Sequence, residues 1–242
     1  MEITLLDQSQ LSRTGSCRLF DSGKLSCGMF MFSSKSPTEP HAHPNSEVVE
    51  YVIQGKGCIW VNTKPHIMER GTVIYIPTDA WHSYQCLGDE PFVFLGSIAS
   101  ERTFRTPLSQ EVEQGRPGLD ATVVTISEGR VVKQVGKTST MLIEPKRVGA
   151  KTIGLGVACY DMEGISGTLH SHENLEQVIY VQSGHGICVV DGDEAVLGPG
   201  SAVYIPPGAK HQLINSGSDS LQFLFIFFPL GEGISLEYPP EL

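Results

Sequence analysis

Short runs in which β-branched and aromatic residues alternate with polar ones, each closed by Gly or Pro, recur along the chain. They fall at residues 48–53, 58–61, 72–76 and 92–95, and again at 178–181, 186–190, 202–205 and 221–228. A period of two is that of a strand with one buried face, and the Gly and Pro boundaries supply the turns. The pattern predicts the short strands of a β-barrel or sandwich, laid down twice, while helical periodicity is weak throughout. Residues 99–119 break the pattern. They hold Glu101, Arg102, Arg105, Glu111, Glu113 and Arg116 together with Pro107 and Pro117, and read as the connection between two units, with one short helix around 109–114. Residues 1–30 and 126–161 are lead-ins to the two units, expected to supply outer strands.

The two series of strands share one frame. His41, His43 and His82 are matched by His170, His172 and His211, each 129 residues later, as 170 less 41 shows. The same offset pairs Asn45 with Asn174, Glu47 with Glu176, Gly55 with Gly184, Gly71 with Gly200 and Pro77 with Pro206. One unit has been written twice without insertion or deletion across its core. Six of the eight histidines sit in this frame, and imidazole is the commonest metal ligand, so the repeat points to metal chemistry.

Composition narrows the class. With 242 residues, 26 Gly, 15 Pro and only 18% charged residues, the chain suits two soluble domains of short strands and tight turns better than a helical bundle. A net charge of −10 would repel phosphate backbones and anionic lipid, which argues against nucleic acid and membrane partners. The most apolar stretch, 221–230, is about half the length needed to cross a bilayer and reads as a buried strand. No basic patch precedes a long apolar run near Met1, so no secretory signal is evident. The six cysteines lack CxxC spacing and avoid the repeated histidine positions, which fits reduced, buried thiols in a cytoplasmic protein.

In a strand, residues i and i+2 face the same side, so His170 and His172 can project into one barrel interior. His211 follows a strand and a Pro206-Pro207-Gly208 turn that can return it beside that pair. The residues resemble the two motifs of the cupin superfamily, G(X)5HXH(X)4E(X)6G and G(X)5PXG(X)2H(X)3N. Gly164, His170, His172 and Gly184 match the first motif; Gly200, Pro206, Gly208, His211 and Asn215 match the second. The resemblance implies an all-β chain of two tandem cupin-type β-barrels (double-stranded β-helix, or jelly roll). The barrels would span 1–105 and 126–242, with a connection at 106–125. It also implies a divalent transition metal (Fe, Mn, Co, Ni or Zn) on the histidines. Gln177 stands where the first motif has its glutamate; as in three-His-plus-Gln cupins, its carbonyl oxygen would be the fourth donor and would add no charge.

The first unit departs further. Lys35, Asp79 and Cys86 replace a Gly, a Gly and the final Asn of the motifs, and Val48 occupies the fourth-ligand position. Strand alternation turns Glu47 outward and gives Glu50 the inward parity of Val48 and Val52. The first site therefore reads as His41, His43 and His82, with Glu50 nearby as a candidate catalytic acid or base. Trp81 and Tyr84 flank His82 and read either as an aromatic wall over a substrate or as packing. His66 and His185 lie outside the frame and are expected in solvated loops or turns.

Three functions follow. The leading one is a bicupin metalloenzyme acting on a small polar organic acid, keto acid or enol by non-redox isomerase, lyase or decarboxylase chemistry. The second is an Fe(II)-dependent dioxygenase using the same ligands. The third is a non-catalytic small-ligand or sugar-binding cupin. The expected partner is a small-molecule substrate, and the expected assembly a monomer or a homodimer.

Overall fold

The computed structural model describes residues 2–6, 8–100 and 120–230; the helix expected around 109–114 lies outside them. The chain begins with β1 (Glu2–Leu5), α1 (Gln8–Thr14), β2 (Ser16–Asp21) and β3 (Leu25–Phe32). There follow β4 (Ser46–Gln54), β5 (Lys56–Val61), β6 (Lys64–Glu69), β7 (Thr72–Ile76), β8 (His82–Cys86) and β9 (Phe92–Ser100). After 119 come β10 (Thr122–Thr125), β11 (Arg130–Gln134), β12 (Lys137–Ile143), α2 (Pro145–Val148) and β13 (Gly154–Tyr160). The second series closes with β14 (Glu176–Ser183), β15 (Gly186–Val190), β16 (Asp193–Leu197), β17 (Ser201–Ile205), β18 (His211–Asn215) and β19 (Leu221–Phe228). β7 and β17, and β8 and β18, keep the 129-residue offset at both ends.

Each unit pairs a large sheet with a three-stranded one. The first has the order β10-β7-β4-β9-β3-β2 facing β6-β5-β8; the second has β1-β17-β14-β19-β13-β12-β11 facing β16-β15-β18. The lead-ins supply outer strands, as expected, but also β3 and β13, which lie inside the large sheets beside β9 and β19. Two strands cross between units: β1 pairs with β17 of the second, and β10 pairs with β7 of the first. Each therefore covers a sheet edge that would otherwise expose unpaired backbone groups.

Three cores result. Val48, Val52, Ile74, Ile76 and Phe94 fill the first barrel, and Ile179, Val181, Val203, Ile205 and Phe225 fill the second. The intervening residues Val49, Tyr51, Val73 and Tyr75 meet Val178, Tyr180, Leu224 and Ile226 in a third core between the two large sheets. Both faces of β4 are thus buried, which is why its sequence reads as a nearly continuous apolar run. The 221–230 stretch is the buried strand β19 with its exit, and no helix among the described residues is long and apolar enough to cross a membrane.

Gly55 and Gly184 show why the frame keeps its glycines. Both have positive φ, 77° and 80°, and a Cβ on either would come within 2.3–2.4 Å of the carbonyl oxygen of Pro91 or Ser220. Only glycine meets both demands.

Candidate metal centres

His41 does not lie in a regular strand. It exchanges two backbone hydrogen bonds with His82 (His41 N to His82 O 3.0 Å, His82 N to His41 O 2.8 Å), and His170 does the same with His211 at 3.1 and 2.8 Å. The HxH pairs thus come from irregular segments whose first histidine forms an isolated bridge with the first residue of β8 or β18, a correction to the strand expected there. In the first unit, Pro40 and Pro44 flank the pair and deny the backbone donors that a longer ladder needs.

The bridge brings the rings together. Centroids of His41, His43 and His82 are 4.3–5.1 Å apart; those of His170, His172 and His211 are 4.3–5.4 Å apart. Within each triad the ligating atoms lie within 4.8 Å of one another, a grouping that could hold a metal ion. Glu50 falls outside the first grouping.

Protonation and orientation favour ligation. His82 Nδ1 lies 3.0 Å from Ala80 O, His211 Nδ1 3.0 Å from Ala209 O and His170 Nδ1 2.7 Å from Thr168 O. A carbonyl only accepts, so each Nδ1 carries the hydrogen and each Nε2 keeps its lone pair. Buried and without a hydrogen-bond partner are His82 Nε2, His211 Nε2, His172 Nε2 and His43 Nδ1. Burial, reinforced by neighbouring imidazoles, pushes His43 and His172 down to about 4 and His82 to about 3. Burial also lowers His41 and His211. These rings are neutral at neutral pH, the state in which imidazole binds a metal. Orphaned, neutral, convergent nitrogens fit a transition metal.

Gln177 points inward from β14, 6% exposed, with Oε1 buried and without a hydrogen-bond partner. Its counterpart Val48 faces the first barrel with no donor atom. Glu50 is inward, as its parity indicates: it is 2% exposed, Oε1 accepts a hydrogen bond from Tyr84 Oη, and Oε2 has no partner. Burial pushes Glu50 up to about 8. Tyr84 is buried in the barrel, stacked on Phe32 at 4.9 Å and on Phe94 at 5.1 Å, and its ring also meets His41 and His82 at 5.8 and 5.7 Å. Trp81 is half-buried. In the second barrel the positions of Glu50 and Tyr84 are taken by Ile179 and Leu213.

Glu47 turns away from the barrel interior as expected, yet it is only 3% exposed because it enters the interface between the units. His66 is a correction. It lies on β6, half-buried, with Nε2 buried, because its register places it beside Ile59 and so on the inner side of the strand. His185 is exposed in the turn, and the cysteines are free, all but Cys159 buried.

The motif departures have local explanations. Asp79 adopts a φ of 66° where Gly208 has 80°, and its Oδ1 accepts the Asn45 N–H at 2.9 Å. Asp visits this region more readily than most residues, and the bond fixes the turn before His82 to the turn after His43. Asn215 donates to Tyr160 O and Asp219 O. Cys86 keeps part of that role by donating its thiol to Glu90 O at 3.2 Å.

Comparison with known proteins agrees with this architecture. The family profile described as Cupin domain matches residues 29–97 and 156–227. An uncharacterized protein of Methanocaldococcus jannaschii is 31% identical over 61 residues, 25% of this chain; the chain spans about half (49%) of that relative's length. Among solved structures, an oxalate decarboxylase of Bacillus subtilis studied for its Mn(II) centres superposes with a TM-score of 0.68 at 18% identity, covering 86% of this chain and 70% of its own. The formate complex of Lactobacillus farciminis oxalate decarboxylase gives 0.69 at 17%, covering 85% and 77%. The gentisate adduct of salicylate 1,2-dioxygenase from Pseudoaminobacter salicylatoxidans gives 0.68 at 16%, covering 94% and 81%. At these identities the likeness is one of fold.

Proposed function

Since the chain belongs to the cupin family, with the domain present twice, we propose that it is a bicupin metalloenzyme with a divalent transition metal on each histidine triad. It acts on a small polar organic acid, keto acid or enol by non-redox isomerase, lyase or decarboxylase chemistry. The observation that carries this reading is the set of buried nitrogens with no partner, His43 Nδ1, His82 Nε2, His172 Nε2 and His211 Nε2, together with Gln177 Oε1. Three imidazoles would hold the ion in the first barrel; three imidazoles and the Gln177 oxygen would hold it in the second. A bound divalent ion supplies a Lewis acid that offsets negative charge developing on a substrate oxygen.

The remaining chemistry belongs to the chain. Glu50 is the acid or base of the first site. Raised to about 8 by burial, it holds a proton at neutral pH in an interior otherwise lined by Val48, Val52 and aromatic rings. Tyr84 Oη fixes the orientation of the carboxyl and leaves Oε2 to exchange the proton. The second barrel has no counterpart of this pair, so the acid–base step belongs to the first. The fold neighbours that are oxalate decarboxylases support decarboxylation as one member of the class.

A second reading is an Fe(II)-dependent dioxygenase on the same ligands, since three imidazoles would leave coordination positions open for dioxygen and a chelating substrate. The neighbour with the widest coverage given above is a dioxygenase. The discriminating experiment is elemental analysis of protein purified without a chelating tag, followed by turnover screens over keto acids, enols and hydroxy-aromatic acids with oxygen uptake recorded. Metal-dependent turnover without oxygen uptake supports the first reading. Stoichiometric oxygen uptake with iron selects the second, and a ligand affinity indifferent to metal selects the non-catalytic binding module.

A further inference from the structure

Glu47 lies between His43 and Glu50 in sequence, at the start of β4, and its carboxylate joins the two units. It accepts hydrogen bonds from Tyr75 Oη at 2.7 Å, from Lys151 N at 2.9 and 3.1 Å, from Thr152 N at 2.8 Å and from Thr152 Oγ1 at 2.7 Å. Tyr75 belongs to β7 of its own sheet; Lys151 and Thr152 belong to the segment between α2 and β13 of the other unit. A carboxylate so buried is tolerable only because donors surround it, and those donors fix its place.

The turn after His43 hangs from this anchored residue. Ser46 N donates to His43 O at 3.2 Å and Ser46 Oγ to Pro44 O at 3.0 Å. Asn45 is held on both sides, its N–H by Asp79 Oδ1 and its carbonyl by Ser100 Oγ at 3.1 Å. Asp79 in turn lies in the turn that delivers His82.

Among the described residues the second unit shows no equivalent clamp. Glu176 is the counterpart of Glu47, but its Oε2 is buried without a hydrogen-bond partner. Tyr204, the counterpart of Tyr75, stacks on Phe20 with centroids 3.9 Å apart. The repeat has kept both residue types, and among the described residues only the Glu47 copy is seen bonded across the interface.

We propose that Glu47 is a positioning residue through which the second barrel sets the geometry of the first barrel's metal site, so that the His41–His43–His82 site takes its full affinity only with Lys151 and Thr152 in place. This rests on the reading of the triads as metal sites.

The test is a cobalt(II) titration of the full chain carrying His211→Ala, which confines the readout to the first site, with affinity and the visible d–d spectrum recorded. Glu47→Gln and Thr152→Val, the latter in the other barrel and close to isosteric, are expected to weaken cobalt binding by about tenfold or more, the range typical of outer partners of metal ligands. They are also expected to change the d–d spectrum, while Glu176→Gln leaves both unchanged. Should Glu47→Gln fail to fold, Thr152→Val with Tyr75→Phe decides the matter. Unchanged cobalt affinity and spectrum in folded Thr152→Val and Tyr75→Phe would overturn the positioning role alone, as would an equal loss in Glu176→Gln. Failure of the His211→Ala parent to bind cobalt would overturn the reading of the first triad as a metal site and the proposal with it.

Discussion

Val48 and Gln177 occupy the same place in the repeat and face their barrel interiors from equivalent strands, but only Gln177 brings a donor atom, and that atom has no hydrogen-bond partner. On the proposed assignment the two candidate centres differ by one ligand. Gln177→Val is expected to weaken metal binding at the second site by about tenfold, with the first site unaffected; a two-site titration separates them. Gln177→Glu is expected to retain metal and change reactivity, since it adds a negative charge beside the ion, and steady-state kinetics on the substrate found by screening would read it.

Glu50 makes stability depend on pH in the alkaline direction. Its folded value, about 8, lies above the ordinary 4.5. Its contribution is fully present below pH 4.5 and is lost as pH rises through 8, because the unfolded chain ionises first. Glu50→Gln is expected to flatten the fall in stability over that window, a difference on the order of a few kcal/mol at pH 8 and above relative to acid. Chemical denaturation across pH 5–9 measures it, and parallel curves for the two proteins would remove the buried acid from the account.

The histidines act with the opposite sign. His43 at about 4 and His82 at about 3 lie below the ordinary 6.5 because burial disfavours their charged forms. Their contribution is present above pH 6.5 and is lost as pH falls through 4 to 3, where the unfolded chain binds more protons. Metal-free protein should lose stability steadily below pH 6.5, and His82→Asn should reduce that slope in denaturation curves recorded from pH 7 to 4.

Asp79 tests the joint between the two ligand turns. Asp79→Ala forces a side chain with no local hydrogen bond into φ near 66° and releases the Asn45 N–H. A loss of about 1–2 kcal/mol is expected in urea unfolding. Asp79→Gly keeps the conformation and loses only the bond, so its loss should be smaller.

The sequence disclosed what periodicity and duplication encode. The strands 72–76, 186–190 and 221–228 coincide with β7, β15 and β19, and the parity of β4 places Glu50 inside and Glu47 outside. The 129-residue frame pairs the histidines that the fold then brings together. Non-local facts were beyond its reach. The exchange of β1 and β10 depends on which sheet edge is free in space, and the burial of Glu47 depends on backbone donors at 151 and 152, about a hundred residues away. His66 lies on a strand rather than in a solvated loop because β6 is an edge strand, where the preceding Pro65 is tolerated. Spacing alone cannot distinguish a strand ladder from the isolated bridges that hold the HxH segments.

The most direct measurement is metal stoichiometry on dialysed protein by elemental analysis, with folding checked by circular dichroism. Two equivalents are expected for the parent chain, one each for His82→Ala and His211→Ala, and none for the double variant, all with the β spectrum retained. Unchanged stoichiometry in the folded double variant would contradict the assignment of both centres.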